Sequence, residues 1–498
     1  MQKTYPARYH VLLCVVLAYF IFGVSIPHTE AQSVMLHSAG DSAHVTAGQP
    51  PDGGAFGSLS FPPAPPMSQE HRLKVEAHIA KNLTRLRDTG VLPPAAANAQ
   101  VLFSWPLRTA SNFTDPGYAA ISAFVDHNSA YPNLLLDYNG GARTYDTAAG
   151  YNHQGTDIFP YPFGWNKMEQ NAVYVIAAAN GVITASHDGA NDHNCSMQSS
   201  SDANYVVLTH SSGAQSWYWH LKKGSVTTKA IGTSVSTGEV LGVVGSSGIS
   251  TGPHLHFEVR DATNNMIDPF AGAYNPTTAD SWWQSQRLYY DSGINKITTG
   301  DAAPEVPNCS IAYPHETSLI HTGSRLYVTT YYRERLVSQQ AQYALVQPDG
   351  SVFSSWTGNA ETFYLASYWY WYWDIASSAP VGTWRFRSTL NGESYEKEFQ
   401  VCTTGGSPEA PSLTSPRTNA HIGRRVTLDW GDVSCASTYN LIVRIDSRKG
   451  SIKIRGQNLA LSQYTTKTLV RHHKYYWQVS ACDSGVCRKS SWRSFSVR

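Results

Sequence analysis

Five side chains that can bind a metal ion or carry protons lie in three well-separated stretches of this chain. They are four histidines and one aspartate: His153, Asp157, His220, His254 and His256. Zinc takes about four ligands in a tetrahedral arrangement, and reactive zinc sites use three protein groups plus water. The set can therefore supply three ligands for one metal ion and leave two imidazoles for proton transfer. A chain that uses them must fold so that remote stretches of sequence meet at one point.

The order of residues around His254 and His256 predicts a strand. Side chains in a strand alternate, so these histidines share one face while Leu255 enters the opposite layer. The segment 248–253 before them is a loop of small residues that lets another backbone approach closely. His220 ends a second predicted strand, from which it can face the same cleft.

His153 and Asp157 are four residues apart in the sequence. A helix would place both side chains on one face. Gly155 and the flanking glycine and asparagine residues instead favour a loop or a strand end. We therefore expect a bend to bring the two side chains together, and the sequence alone does not define that bend.

Short alternating runs broken by Gly, Asn and Asp fill residues 101–270 and predict an antiparallel β-sheet core. The predicted strands are Val173–Ile176, Gly181–Ala185, Tyr205–Thr209, Gln215–His220, Val240–Val244 and His254–Val259. The predicted fold class is mainly β: this core, followed by two β-sandwich domains.

The first hundred residues divide into three predicted segments. Residues 1–31 have a basic start, an apolar run and a small-residue cleavage point, which are typical of a signal peptide; a retained N-terminal anchor is the alternative. Residues 32–66, rich in Gly, Ser, Ala and Pro, are predicted to be disordered. Residues 67–100 contain a predicted helix from about Ser68 to Asp88, which is either a spacer packed on the next domain or a pro-segment over its site.

The rest of the chain is predicted to form a connector, residues 271–307, and two strand-rich domains, residues 308–403 and 412–498. The last block resembles a fibronectin type III domain, a sandwich of about seven strands. Within 308–403, residues 368–373 alternate Tyr and Trp. In a strand the three tyrosines would share one face and the three tryptophans the other. These faces provide either core and interdomain packing or a stacking platform for a cell-wall ligand.

Six cysteines follow the predicted signal peptide, and an exported chain meets an oxidising compartment, so disulfides are expected. Cys309 and Cys402 bracket one predicted domain and are expected to pair. Two of the three cysteines Cys435, Cys482 and Cys487 are expected to pair in the last domain. Cys195 has no obvious partner in the sequence.

The net charge of +1 gives no argument for nucleic acid as a partner. Nothing after the N-terminal run resembles a transmembrane segment, so no membrane partner is expected in the mature form. The predicted location is secreted, cell-surface or periplasmic.

Three motifs together resemble the M23 family of zinc metallopeptidases, the LytM and lysostaphin type. They are residues 151–157, the triplet 219–221 and the run 245–259. The resemblance covers about residues 100 to 270 and implies a β-sheet peptidase domain at 101–270 that cleaves peptide bonds in bacterial peptidoglycan. By position, it implies that His153, Asp157 and His256 bind one Zn²⁺ ion. It likewise implies that His220 and His254 are the catalytic pair, assisting a metal-activated water as it attacks the scissile carbonyl.

Two other functions are compatible with this sequence. One is a non-catalytic LytM-like protein that binds the wall or regulates a partner hydrolase; such cores lack one or more of the five residues, and all five are present here. The other is a secreted protease that acts on Gly-rich proteins. Digesting peptidoglycan beside a Gly-rich protein, with and without a chelator, separates these alternatives.

Overall fold

The computed structural model describes residues 67–92, 100–196, 202–307 and 309–498, together with the backbone of strand β1 (Asp52–Phe56). The predicted signal peptide, residues 1–31, lies outside the described residues. So does the segment 32–66, which was predicted to be disordered, apart from β1. Within the described part of the chain, no helix is long and apolar enough to cross a membrane.

The first structural block contains two helices and the strands that build the site. Its elements are α1 (Gln69–Asp88), β2 (Leu107–Thr109), β3 (Ala119–Ala123), β4 (Thr156–Pro160), α2 (Gly164–Glu169), β5 (Val173–Ile176), β6 (Gly181–His187), β7 (Tyr205–Thr209), β8 (Gln215–Trp219), β9 (Ser234–Val235), β10 (Val240–Val243), β11 (Leu255–Arg260) and β12 (Met266–Ile267). The predicted strands agree with these bounds to within two residues, because strict alternation and Asn-Gly or Ser-Gly turns are local signals.

An antiparallel sheet in the order β3-β4-β11-β8-β7-β6-β9, with β12 beside β11, carries the site. In the register of this sheet, His256 on β11 lies opposite Asp157 on β4 and opposite Trp219 on β8. The alternate residues Leu255 and Phe257 are fully buried in the core with the smaller sheet β10-β5-β2. Strand pairing therefore brings together the ends of β4, β8 and β11, where the predicted site residues lie.

Helix α1 begins at the N-cap residue Ser68, whose hydroxyl accepts a hydrogen bond from the backbone N–H of His71. Its apolar side chains recur at helical spacing, and Val75 and Ile79 pack on Trp217 and other residues of the large sheet. Trp217 and His256 face the same side of that sheet, since they alternate with the core residues of β8 and β11. The helix predicted from about Ser68 to Asp88 is thus present and lies on the face that bears the site.

The second block is a sandwich of two sheets. Its elements are β13 (Gly293–Gly300), β14 (Leu319–His321), β15 (Arg325–Arg335), β16 (Gln340–Val346), β17 (Val352–Asn359), β18 (Tyr364–Asp374), β19 (Gly382–Leu390) and β20 (Glu393–Cys402). One sheet has the order β1-β18-β15-β13 and the other β14-β20-β19-β16-β17. Two of these strands come from segments where the sequence suggested none. β13 lies in the predicted connector and β1 in the predicted disordered segment, and each adds to a sheet edge formed by distant residues.

The Tyr and Trp alternation lies on β18, and its two faces have different partners. Trp371 and Trp373 pack in the sandwich core. Tyr368 and Tyr370 pack with Tyr331 and with aromatic side chains of the first block. The strand thus provides core and interdomain packing, the first of the two alternatives, and a cell-wall ligand for residues 308–403 stays a prediction.

The last block is a second sandwich. Its elements are β21 (Leu413–Ser415), β22 (Ala420–Ile422), β23 (Thr427–Trp430), β24 (Thr438–Ile445), β25 (Ile452–Leu459), β26 (Gln463–Thr465), β27 (Lys474–Asp483), β28 (Val486–Lys489) and β29 (Arg493–Val497). The sheet orders are β21-β23-β26 and β22-β29-β27-β24-β25, with β28 beside β27. The mainly β fold class with antiparallel sheets is confirmed.

The predicted Cys309–Cys402 disulfide is wrong. Cys309 pairs with Cys195, and Cys402 pairs with Cys435, so these bonds join neighbouring blocks. The expectation failed because it assumed that cysteines at the two ends of a block pair with each other. The pair expected among the last three cysteines is confirmed as the bond between Cys482 and Cys487, which closes the β27–β28 hairpin.

Candidate metal centre

Three donor side chains converge at the junction of β4 and β11. Nε2 of His153, the carboxylate of Asp157 and Nδ1 of His256 all lie within 4.8 Å of one another. His256 Nδ1 is 3.1 Å from His153 Nε2 and 2.7 Å from Asp157 Oδ1. Two imidazole nitrogens and one carboxylate match the donor types of a zinc site with three protein ligands.

In His153 and His256, the ring nitrogen that faces away from the centre is hydrogen-bonded to an oxygen atom. His153 Nδ1 donates to the carbonyl of Phe124 at 2.6 Å. His256 Nε2 donates to Oε1 of Glu258 at 3.0 Å. With these nitrogens keeping their protons, the other ring nitrogen of each histidine would present its lone pair to a bound metal ion, as partners of metal-bound histidines generally ensure.

The charges around the centre favour an ionised carboxylate. Burial alone raises the pKa of Asp157, but His153 and His256 outweigh it and hold that pKa well below its usual range. Burial lowers the pKa of His256, but Asp157 and then Glu258 outweigh it and raise the pKa to about 9. The ionised carboxylate of Asp157 is therefore available to a cation that takes the place of the proton on His256.

His220 and His254 lie beside the centre with ring centroids 4.4 Å apart. His220 Nδ1 donates to the carbonyl of Ser247 at 2.6 Å, and His254 Nδ1 donates to that of Gly252 at 2.8 Å. A carbonyl oxygen can only accept, so both rings carry the proton on Nδ1 and leave Nε2 as an acceptor. His254 Nε2 is 3.9 Å from the nearer oxygen of Asp157.

Both of these histidines are unprotonated in the folded protein near neutral pH. Burial lowers the pKa of His220 well below its usual range, and neighbouring His254 and His256 act in the same direction. Burial also lowers the pKa of His254, against the attraction of Asp157. The His254 side chain is 14% exposed, more than that of Asp157, His153 or His256, so it has access to the outside of the site.

The backbone conformation at His220 and the absence of a side chain at Gly155 both shape the site. His220 directly follows β8 and has a φ of 66°, a conformation that is uncommon for residues other than glycine and is concentrated at functional sites. At Gly155 a Cβ atom would lie 2.8 Å from the His256 ring. This glycine is the bend expected between His153 and Asp157, and only a residue without a side chain leaves room for the imidazole.

All five residues predicted from the sequence are brought together, but their closest supports were missed. Glu258 was visible as part of a motif, and its position two residues after His256 on one strand was a signal for a shared face. Arg72 gave no signal, because 186 positions separate it from Glu258, its ion-pair partner. Tyr145 also escaped prediction; its ring stacks on His153 with centroids 4.3 Å apart.

Comparison with known proteins places this site in a family. Residues 151–269 match the model of Peptidase family M23. The DD-carboxypeptidase/endopeptidase Mpg of Neisseria meningitidis is 49% identical over 57 residues, which cover 11% of this chain and 12% of Mpg. The glycyl-glycine endopeptidase ALE-1 of Staphylococcus capitis is 32% identical over 106 residues, covering 21% of this chain and 28% of ALE-1.

A solved structure is also similar to part of this chain. The catalytic domain of lysostaphin from Staphylococcus simulans is 26% identical, and the match covers 25% of this chain and 83% of that one, with a TM-score of 0.18. This chain spans between 12% and 28% of the length of the two enzymes compared above. The resemblance drawn from the motifs is confirmed for residues 151–269, which match the model of Peptidase family M23.

Proposed function

We propose that this chain is an exported, zinc-dependent endopeptidase that hydrolyses peptide bonds of bacterial peptidoglycan. The observation that supports this most strongly is the convergence of His153, Asp157 and His256 within 4.8 Å, beside two further histidines. The family M23 match gives the class of reaction. A non-catalytic, wall-binding protein would not need all five groups in this geometry.

His153, Asp157 and His256 are the proposed zinc ligands. The donor set fits, since two histidines each keep one ring nitrogen for the ion while donating from the other. A bound zinc ion polarises a carbonyl oxygen and lowers the pKa of water to about 7. The carboxylate of Asp157 offsets part of the charge of the ion.

His254 is the proposed general base. Its Nε2 is free to take a proton, its lowered pKa keeps the ring neutral near pH 7, and it is the more accessible of the catalytic pair. His220 Nε2 is the proposed acceptor that orients the attacking water. If His220 gains a proton during the reaction, the same nitrogen becomes a donor to the developing oxyanion.

Peptidoglycan is the proposed substrate class because a further relative, ShyA of Vibrio cholerae, is named a peptidoglycan DD-endopeptidase. Mpg is named a DD-carboxypeptidase/endopeptidase and ALE-1 a glycyl-glycine endopeptidase. These names specify different bonds, so a stem-peptide bond and a cross-bridge bond are both compatible with the site. Mass spectrometry of fragments released from walls with different cross-bridges would identify the bond, and a Gly-rich protein in a parallel digest would test the alternative substrate.

Export is proposed from the disulfides and the predicted signal peptide. Three disulfides, two of which join different blocks, suit an oxidising compartment. The expected location of the mature chain is therefore outside the cytoplasm. Finding the mature chain by fractionation in the cytoplasm with reduced cysteines would contradict this part of the proposal.

Paired substitutions test the site. His254→Ala should retain one equivalent of zinc and lose about 10²- to 10⁴-fold in turnover, the range typical of a general base. His256→Ala should lose both zinc and turnover. His421→Ala, at an exposed histidine of the last block, is the matched control and should leave both unchanged. Turnover of His254→Ala near that of the wild type would refute the role of the base, and stoichiometric zinc in His256→Ala would refute the ligand set.

A further inference from the structure

A buried charged cluster lies directly behind His256. Glu258 follows on the same face of β11, is fully buried and accepts the Nε2–H of His256 at 3.0 Å. Arg260, next on that face, donates to Glu258 Oε2 from Nε at 3.2 Å and from a terminal nitrogen at 2.9 Å. The orientation of the His256 ring therefore depends on the orientation of the Glu258 carboxylate.

The other side of that carboxylate is held by Arg72, which comes from α1. The two terminal nitrogens of Arg72 lie 2.5 Å from Glu258 Oε1 and 3.1 Å from Oε2, a two-pronged contact. Arg72 is only 6% exposed, and its guanidinium lies over the ring of Trp217 at 5.9 Å. Such a side chain is fixed in place by both its ionic and its packing contacts.

The helix is anchored well enough to define where Arg72 lies. Val75 and Ile79 are buried against the sheet, and Asn82 Nδ2 donates to the backbone carbonyl of Thr184 at 2.9 Å. These contacts occupy the same helix face as Arg72 at helical spacing. The position of the guanidinium is thus set by the whole face of α1.

Arg72 and Arg260 contribute differently to Glu258. Arg260 contacts Oε2 and also binds Gln154 Oε1 at 2.6 Å, whereas Arg72 contacts both carboxylate oxygens. Without Arg72, the oxygen that holds His256 would lose its other partner, and Arg260 would hold the carboxylate from one side. The carboxylate could then rotate, and the His256 ring with it.

We propose that Arg72 is a positioning residue of the metal centre, which acts through Glu258 to hold His256 in the orientation required of a ligand. This rests on the proposed zinc site. Helix α1 thus supports the metal centre through Arg72, although the helix lies outside residues 151–269. The other role predicted for this part of the chain is an inhibitory pro-segment. Disturbing such a segment would raise activity, whereas disturbing a positioning residue would lower it.

The test measures zinc affinity of the full chain by competition with a chromophoric chelator, at a temperature well below unfolding. Arg72→Met should weaken zinc binding about 10- to 100-fold, the usual effect of removing an outer partner of a metal ligand. Arg72→Lys keeps the charge without the two-pronged contact and should lose part of the affinity. Arg85→Met, the same change at an exposed site on α1, should bind zinc like the wild type.

The outcomes separate this inference from the proposed function. Absence of zinc binding by the wild type would overturn both. If folded Arg72→Met or Arg72→Lys binds zinc with wild-type affinity while His256→Ala loses zinc, the role of Arg72 is overturned and the proposed zinc site stands. If Arg72→Met does not fold, Arg72→Lys decides the matter by itself. Faster peptidoglycan cleavage by either Arg72 variant at unchanged zinc affinity would show an inhibitory helix and refute the proposal.

Discussion

His210 should make the peptidase domain sensitive to acid. It is 3% exposed, its Nδ1 donates to the carbonyl of Asn180 at 2.7 Å and its Nε2 accepts from the Ser216 hydroxyl at 2.9 Å. Every ring nitrogen is thus satisfied in the neutral form. Burial lowers the pKa of His210 from 6.5 to about 4. A proton gained in the folded state would reverse the hydrogen bond with Ser216 and place a charge in a buried site.

The magnitude follows from linkage between protonation and folding. The unfolded chain takes up a proton on His210 below pH 6.5, whereas the folded protein does so only near pH 4, so stability present above 6.5 is lost as pH falls. The full difference corresponds to about 3 kcal/mol, at about 1.36 kcal/mol for each pH unit. At pH 5.0 the same relation gives a loss of about 2 kcal/mol in the free energy of unfolding.

The perturbation is His210→Gln, whose amide can donate to Asn180 and accept from Ser216 without titrating. The assay is urea unfolding at pH 7.5 and pH 5.0, followed by hydrogen exchange and mass spectrometry of peptides from β7 and β8. The stability lost between these pH values should be about 2 kcal/mol smaller in the variant than in the wild type. His421→Gln, at an exposed site, should change nothing. An identical pH dependence in wild type and His210→Gln would refute the reasoning.

Three further predictions concern stability and the metal centre. Burial lowers the pKa of Lys167 to about 7, so folding disfavours the protonated side chain and costs stability at pH values below 10.5. Lys167→Met should therefore raise the free energy of unfolding by about 4 kcal/mol at pH 7 and by almost nothing near pH 10.5. An equal effect at both pH values in urea melts would be inconsistent with this. Gly155→Ala should weaken zinc binding in chelator competition, because the new methyl group would displace His256; unchanged affinity would show that the ring can move without loss. Replacing Cys195 and Cys309 by Ser should lower the free energy of unfolding by about 2–4 kcal/mol, and peptide mapping that finds either cysteine joined elsewhere would contradict the pairing.

The sequence predicted most of the strands and the site residues because their signals are short-range. Alternation with a period of two fixed the face shared by His254 and His256, and Asn-Gly turns marked where strands end. The motifs around these residues identified the family. Disulfide partners carried no such local signal, and the pairing expected for Cys309 failed because Cys195, its true partner, belongs to a different block.

By itself, the sequence determined which side chains can bind a metal, most of the segments that become strands and the face that each of their residues takes, since these depend on residue chemistry and on local backbone geometry. Tertiary structure alone decided which strands are neighbours, and so placed Asp157 opposite His256 and brought Arg72 to Glu258. Those contacts join residues remote in sequence. They form only when the whole sheet and the helix on it bury their apolar faces together, and no local pattern encodes that event.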